Sequence, residues 1–335
     1  MLKPEEVLKQ SEGAMKQWGE TWRSHAKVNG EILKEKGLSN QLIFGHGIGR
    51  KLICVAYGAE LENQVEYLKI KNDAMDIACV DKAMSYLLKN GVKPQFVYLA
   101  DAGIDYETWC EPYVDQTEDM CLIMNVTANP EWAKNWKGKL FYIVNQDNIK
   151  TEDIFAPISG CNEMVKASSN VGNSVLVHAE TYMMYDEYYL VGYDYHWGDG
   201  NYYCDYDCDK RWYMNHFQIL TPGAKLVSTS QNLLFSARWL MDYIRAILAP
   251  HKKKIFICGD SLLEIPRVKL ERVMKGVKGR ELNQQEIDFI IKNRAQNIIV
   301  TPQEGGEKLK EVLNTHQVLN VIVQHLPQDL FQEAV

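Results

Sequence analysis

Seven short apolar runs recur through the middle of this chain, and most of them close on a glycine, an asparagine or an aspartate. They are KLICVAYG (51–58), AMDIACVD (74–81), PQFVYLAD (94–101), MCLIMNV (120–126), KLFYIVN (139–145), YYLVGYD (188–194) and KKIFICGD (253–260). Helical patterns separate several of them: LENQVEYLKIK, DKAMSYLLKNG, NPEWAKNWKG, GNSVLVHAETYMM and SARWLMDYIRAIL. Strands that alternate with helices pair in parallel, because a parallel neighbour needs a crossover and a helix usually fills it. Runs this apolar are covered on both faces. The expected fold is therefore α/β: a doubly wound, mostly parallel, Rossmann-like sheet with helical N- and C-terminal extensions.

The extensions have their own patterns. Residues 4–38 carry Leu8, Ala14, Trp18, Trp22, Ala26, Val28 and Leu33 near helical spacing, and no turn signal appears before Gly37. After about residue 262 the pattern returns to helix, in EIDFIIKN and EKLKEVLNTHQVLNVIVQHL. The expected organisation is an N-terminal helical extension (1–40), a core (41–262) and a C-terminal helical region (263–335). Trp18, Trp22 and the apolar face of 311–330 are candidates for self-association into a homo-oligomer.

Bulk properties narrow the function classes. The formal net charge of −7 disfavours non-specific binding to nucleic acid, while a small-molecule phosphate can still be held locally. No apolar run is long enough to cross a bilayer, and MLKPEEVLKQSEG lacks an apolar signal core. Cys54, Cys79, Cys121 and Cys258 fall inside expected strands, which suits buried reduced thiols in a cytoplasmic protein.

In an open parallel sheet, ligands bind beyond the carboxyl ends of the strands. The residues there include Gly58-Ala59-Glu60, Asp81-Lys82, Asp101-Ala102-Gly103, Asn125, Asn145-Gln146, Asp194-Tyr195-His196 and Gly259-Asp260-Ser261. Turns are polar anyway, but three strands ending on Asp (Asp81, Asp101, Asp194) exceed what turn chemistry asks for. Ser168, Ser169 and Asn170 are natural caps for a helix over 171–184, and Gly172 would let a ligand approach its backbone. Such a helix start suits a phosphate or ribose, and it equally suits a plain cap. Asp101 and Asp105 stand close enough to offer oxygen ligands to Mg²⁺, or they belong to a capped turn. His196 follows a strand end and is the best-placed histidine for acid–base work, unless it is a surface residue. Cys204, Cys208, His196 and His216 could in principle bind zinc at an allowed C-x3-C spacing, but no second Cys pair follows at finger spacing; the carboxylates at 199, 205, 207 and 209 suggest calcium but do not follow the EF-hand pattern. The aromatic segment 196–216 reads as a long loop. GHGIGR (45–50) precedes the first long strand and has its third glycine one position early for a dinucleotide fingerprint, so it too reads as a loop.

The order of ICVAYGAEL (53–61), IACVDKAMSYLLKNGVKPQFVYLAD (77–101), SSNVGNSVLVHA (168–179) and YYLVGYD (188–194) resembles the 6-hydroxymethylpterin diphosphokinase MptE-like family. That group also takes in the central domain of the motility-accessory-factor glycosyltransferases and is distantly similar to bacterial sialyltransferases that use CMP-sialic acid. The resemblance implies a nucleotide or nucleotide-sugar, with or without Mg²⁺, lying between Gly58 and the Asn170–Asn173 helix start. Together with the strand-end and helix-start readings it gives an expected binding set of Gly58, Glu60, Asp81, Lys82, Ser169, Asn170, Gly172 and Asn173. The expected catalytic residues are Asp101, Asp194 and His196: Asp194 or His196 would orient or deprotonate the acceptor hydroxyl, and Asp101, with Asp81, would position the ribose or a Mg²⁺. Where the family usually has Gly-Pro-Ser-Leu, this chain has Gly58-Ala59-Glu60-Leu61, placing a carboxylate where a phosphate would approach. Three functions follow as expectations: glycosyl transfer from a nucleotide-sugar, diphosphoryl transfer from ATP to a pterin-like alcohol, and a non-catalytic assembly role on a retained fold.

Overall fold

The structure is a computed structural model that describes residues 4–146, 164–166, 170–197, 204 and 216–297. All seven expected strands form: β2 (Lys51–Val55), β3 (Met75–Val80), β4 (Phe96–Leu99), β5 (Cys121–Asn125), β6 (Lys139–Gln146), β8 (Glu187–Val191) and β11 (Lys254–Cys258). Two short strands that carry too few residues to show a period, β1 (Gly37–Leu38) and β7 (Met164–Lys166), add to β6. The main sheet runs β1-β6-β5-β4-β3-β2-β8-β11, and every pairing in it is parallel. Every residue of β2, β3, β4 and β5 is buried, as expected for strands covered on both faces.

The topology creates one special place. From β2 the chain steps through β3, β4 and β5 to β6, then returns to lay β8 on the other side of β2. The strand order thus reverses between β2 and β8, a topological switch point of the kind where open α/β sheets bind ligands. Val55 pairs with Cys79 on one side and with Val191 on the other, so the turns after β2, β3 and β8 open on the same edge.

The N-terminal helix Pro4–Lys36 lies against this core. Asn29 Nδ2 donates to the carbonyls of Val126 and Ala128, both at 2.8 Å. Gly103 sits so close to Trp18 that an added Cβ would come 3.0 Å from the indole ring. Trp22 packs on the hydrophobic core. Both rings considered for self-association are therefore engaged within the chain, and residues 311–330 lie outside the described set. The helix expected over 171–184 is Val171–His178 with a π-helical last turn, Ala179–Met183. Helix Gln231–Tyr243 ends the same way, over Ile244–Leu248.

A hairpin follows the segment read as a loop: β9 (His216–Leu220) pairs antiparallel with β10 (Leu226–Ser230). The six described cysteines, which include Cys54, Cys79, Cys121 and Cys258, are buried free thiols, as read from the sequence. Among the described residues no helix is long and apolar enough to cross a membrane.

Candidate functional site

The site is built on two turns that are hydrogen-bonded to each other. Beyond β2 and β8 the pairing continues, with Ala56 N donating to Val191 O at 2.9 Å and Gly58 N to Gly192 O at 3.0 Å. Gly192 has φ +69°, and a Cβ there would fall 2.4 Å from Ala56 O, so only glycine closes the two turns this tightly. A Cβ on Gly58 would lie 2.4 Å from Asp194 Oδ2. Glu60 N donates to that same oxygen at 2.8 Å. The Asp194 carboxyl is therefore folded against the β2 turn, almost fully buried.

The helix start joins them through two tyrosines. Asn170 Oδ1 accepts from Asn173 N at 2.8 Å, the capping arrangement expected of it. Tyr193, beside Asp194, donates its hydroxyl to Gly172 O at 2.7 Å, and Tyr195 donates to Asn173 Oδ1 at 2.6 Å. A Cβ on Gly172 would stand 3.2 Å from the Tyr193 ring. The first intrahelical bond is Ser174 N to Asn170 O, so the Val171 and Gly172 amides precede it at the positive end of the helix dipole. Gly58, Glu60, Asn170, Gly172, Asn173 and Asp194 thus converge. Ser169 lies outside the described residues.

Asp81 and Lys82 stand one strand away. Asp81 is buried; its Oδ1 accepts from Lys82 N at 2.7 Å, while Oδ2 is buried without a hydrogen-bond partner among the described residues. Lys82 Nζ lies 5.4 Å over the Trp109 ring, and Trp109 meets Tyr57 edge-on at 5.7 Å. Burial pushes the Asp81 carboxyl up to about 7, with the charge of Asp101 adding to the rise. Burial likewise pushes Asp194 up to about 8, against the Glu60 amide, which favours the ionised form. The strand ends therefore carry less negative charge near neutral pH than their carboxyl count suggests.

The proposed metal pair separates into two local turns. Asp101 is exposed and accepts from Gly103 N at 2.8 Å, and Asp105 caps helix Tyr106–Trp109 through Thr108 N at 2.8 Å. Among the described residues no group of three or more His, Cys, Asp or Glu is arranged to hold a metal ion. Cys208 and the carboxylates at 199, 205, 207 and 209 lie outside the described residues.

His196 is not a surface residue but only 2% exposed. Its Nδ1 lies 3.1 Å from Trp197 O, which places the ring hydrogen there and leaves Nε2 as a lone pair. Burial holds its pKa below the ordinary imidazole value. Further neighbours come from β11 and the β9–β10 hairpin. Asp260 follows β11, Lys225 sits in the β9–β10 turn, and both act electrostatically on Asp194 and His196. Ser261 Oγ donates to Tyr193 O at 2.6 Å, and Thr229 Oγ1 to Tyr195 O at 2.7 Å, so the Gly192–Trp197 segment is held from both sides. Asp260 was legible as another strand-end acid; Lys225 lies beyond the aromatic segment, in the β9–β10 hairpin.

GHGIGR occupies the opposite edge. Asp76, near the start of β3, accepts from Arg50 Nε at 3.0 Å and from Arg50 Nη2 at 2.6 Å, and its Oδ2 lies 3.0 Å from His46 Nε2. The loop is a structural clasp at the amino ends of the strands.

No curated protein matches the sequence. Among solved structures, the MAf glycosyltransferase from Magnetospirillum magneticum AMB-1 superposes with a TM-score of 0.55 at 14% identity, over 81% of this chain and 42% of its own. That likeness is one of fold, and this chain spans about two fifths of that protein's length. The sialyltransferase CstII from Campylobacter jejuni, solved with the substrate analogue cytidine-5′-monophosphate, gives a TM-score of 0.38 at 14% identity, covering 73% of this chain and 98% of its own. A sialyltransferase CST-II structure with trisaccharide acceptor and CMP gives 0.37 at 16% identity, covering 70% and 92%. The family model described as 6-hydroxymethylpterin diphosphokinase MptE-like matches residues 29–200, just over half of the chain, which therefore belongs to that family.

Proposed function

We propose that this chain is a nucleotide-binding transferase that moves a glycosyl group from a nucleotide-linked donor to a hydroxyl acceptor. The observation that carries the reading is the meeting of Gly58, the Gly192–Asp194 turn and the Asn170–Asn173 helix start at the switch point. Donor phosphates would approach the Val171 and Gly172 amides, which lie at the positive end of the helix. Protonated Asp194 and Asp81 would reduce repulsion there, and a protonated carboxyl can donate a hydrogen bond to a phosphate oxygen. Lys82 and Asp101 would border the ribose side. His196 Nε2, a neutral lone pair, is the group suited to take the acceptor's proton. Most of the catalysis would come from stabilising charge on the departing phosphate.

Glu60 fits this arrangement better than its sequence position suggests. Its amide serves Asp194, and its carboxylate lies beside Gly259, 3.2 Å from where a Cβ on that glycine would be. Magnesium would arrive with the phosphates and find Asp101 and Asp105 exposed, each already accepting from its own turn. Calorimetric titration with CMP, CDP, UDP and ATP, each with and without Mg²⁺, tests the reading. Saturable binding of a pyrimidine nucleotide is the expected result, and no binding at millimolar concentration to any of the four would end it.

The family itself favours a second reading, diphosphoryl transfer from ATP to a pterin-like alcohol. It predicts ATP-selective, Mg²⁺-dependent binding and release of AMP. Turnover of a nucleotide-sugar without AMP release would exclude it.

A further inference from the structure

His196 and Asp260 present a mismatch that neither side chain resolves alone. His196 Nε2 and Asp260 Oδ2 are both buried, both lack a hydrogen-bond partner among the described residues, and they face each other at 4.0 Å. That separation is too long for a hydrogen bond. With Nδ1 donating to Trp197 O, Nε2 is an acceptor, and the carboxylate is an acceptor too. The remaining carboxylate oxygen is occupied: Oδ1 accepts from Arg267 Nη2 at 2.8 Å and from Ser261 N at 3.1 Å. Two buried acceptors pointed at one gap are costly unless something between them donates to both. A single atom about 2.8 Å from each would subtend an angle of roughly 90°, which a water molecule can meet.

We propose that Asp260 is the positioning residue of His196, and that the two hold between them one molecule donating two hydrogens, water in the resting protein. The rest of the surroundings agree. Lys225 comes from the β9–β10 turn, Glu60 from the turn after β2, and Asp194 from the same segment as His196; Asp260 is the group whose unpaired atom faces Nε2. Arg267 and Ser261 fix the carboxylate so that Oδ2 cannot turn away. This deepens the transferase reading and rests on it for its chemical use. An acceptor hydroxyl displaces the water and gives its proton to Nε2. Its oxygen bonds to the donor carbon, and the bond from that carbon to the phosphate oxygen breaks, the electron pair leaving on the nucleotide. The imidazolium so formed faces the Asp260 carboxylate, which stabilises it.

The test is long-range ¹H–¹⁵N NMR of the full chain, with the His196 signals assigned by loss in His196→Gln. In the wild type the ring should carry its hydrogen on Nδ1; a hydrogen on Nε2 overturns the proposal without any further variant. In Asp260→Asn the His196 midpoint should fall by at least about half a unit, since a facing anion favours the charged ring. Asp260→Glu should restore it at least in part. An unmoved midpoint in a folded Asp260→Asn protein also overturns the proposal. The two readings fail separately: a wild type that binds no nucleotide ends the transferase reading, while the tautomer and midpoint still decide the pair.

Discussion

At Asp194 burial and hydrogen bonding pull in opposite directions. Burial raises its pKa, and the Glu60 amide on Oδ2 restrains the rise. The neighbouring Gly192 has no such latitude: its positive φ and the contact with Ala56 O make Gly192→Ala a strained substitution. Urea denaturation should show a loss of about 2–4 kcal/mol, and a loss below about 0.5 kcal/mol would mean the two turns are not locked together. Glu60 places a carboxylate in the turn after β2, where the proposed donor phosphates approach. Replacing it, Glu60→Ser removes one negative charge from the strand-end edge and should raise nucleotide affinity roughly threefold to tenfold by calorimetry. Unchanged or weaker binding would place the phosphates elsewhere.

Between elements, the two edges of the sheet do different work. The carboxyl edge gathers groups whose pKa values are displaced by burial, and the amino edge holds a buried ion cluster. Burial opposes ionisation of Asp76, but His46 and Arg50 overcome it and hold the carboxyl well below the usual range. Tyr185 also donates to Asp76, at 2.7 Å, and its ring lies against Gly47. Asp76→Asn should cost about 3–5 kcal/mol, because it leaves His46 and Arg50 without their buried counter-charge. It should leave nucleotide affinity unchanged in the folded protein, and an altered affinity would contradict the separation of the edges.

The seven strands and their carboxyl ends were legible because buried parallel strands are written as continuous apolar runs. The role of GHGIGR was not, because its partners Asp76 and Tyr185 are 26 or more residues away in the chain. The hairpin at 216–230 was hidden for another reason: β9 leaves Phe217 and Leu220 exposed and shows no inside-outside alternation, while β10 buries Val227 and Thr229 in a run too short and polar to stand out. Trp18 and Trp22 carried a true apolar signal whose targets, the Gly103 turn and the core, no periodicity can name.

For the whole molecule, these edges set opposite pH limits. Asp81 and Asp194 have folded pKa values raised to about 7 and about 8. Between about pH 4 and those values the folded chain keeps protons that the unfolded chain has released, so stability falls as pH rises through that window. Asp76 is shifted the other way, so its contribution is complete above about pH 4 and is lost as pH falls below it. The melting temperature should therefore peak in the mildly acidic range. Asp194→Asn should flatten the decline towards pH 9, and Asp76→Asn the decline towards pH 3. A wild-type curve that is flat from pH 5 to pH 9 would show that the strand-end carboxyls are not buried as acids.

The most direct measurement is a crystal structure of the protein with bound nucleotide, read for the position of the phosphates. They should lie within hydrogen-bond distance of the Val171 and Gly172 amides and beside Gly58, between β2 and β8. Phosphates found at the Gly45–Arg50 edge, or nucleotide bound away from both strands, would contradict the account.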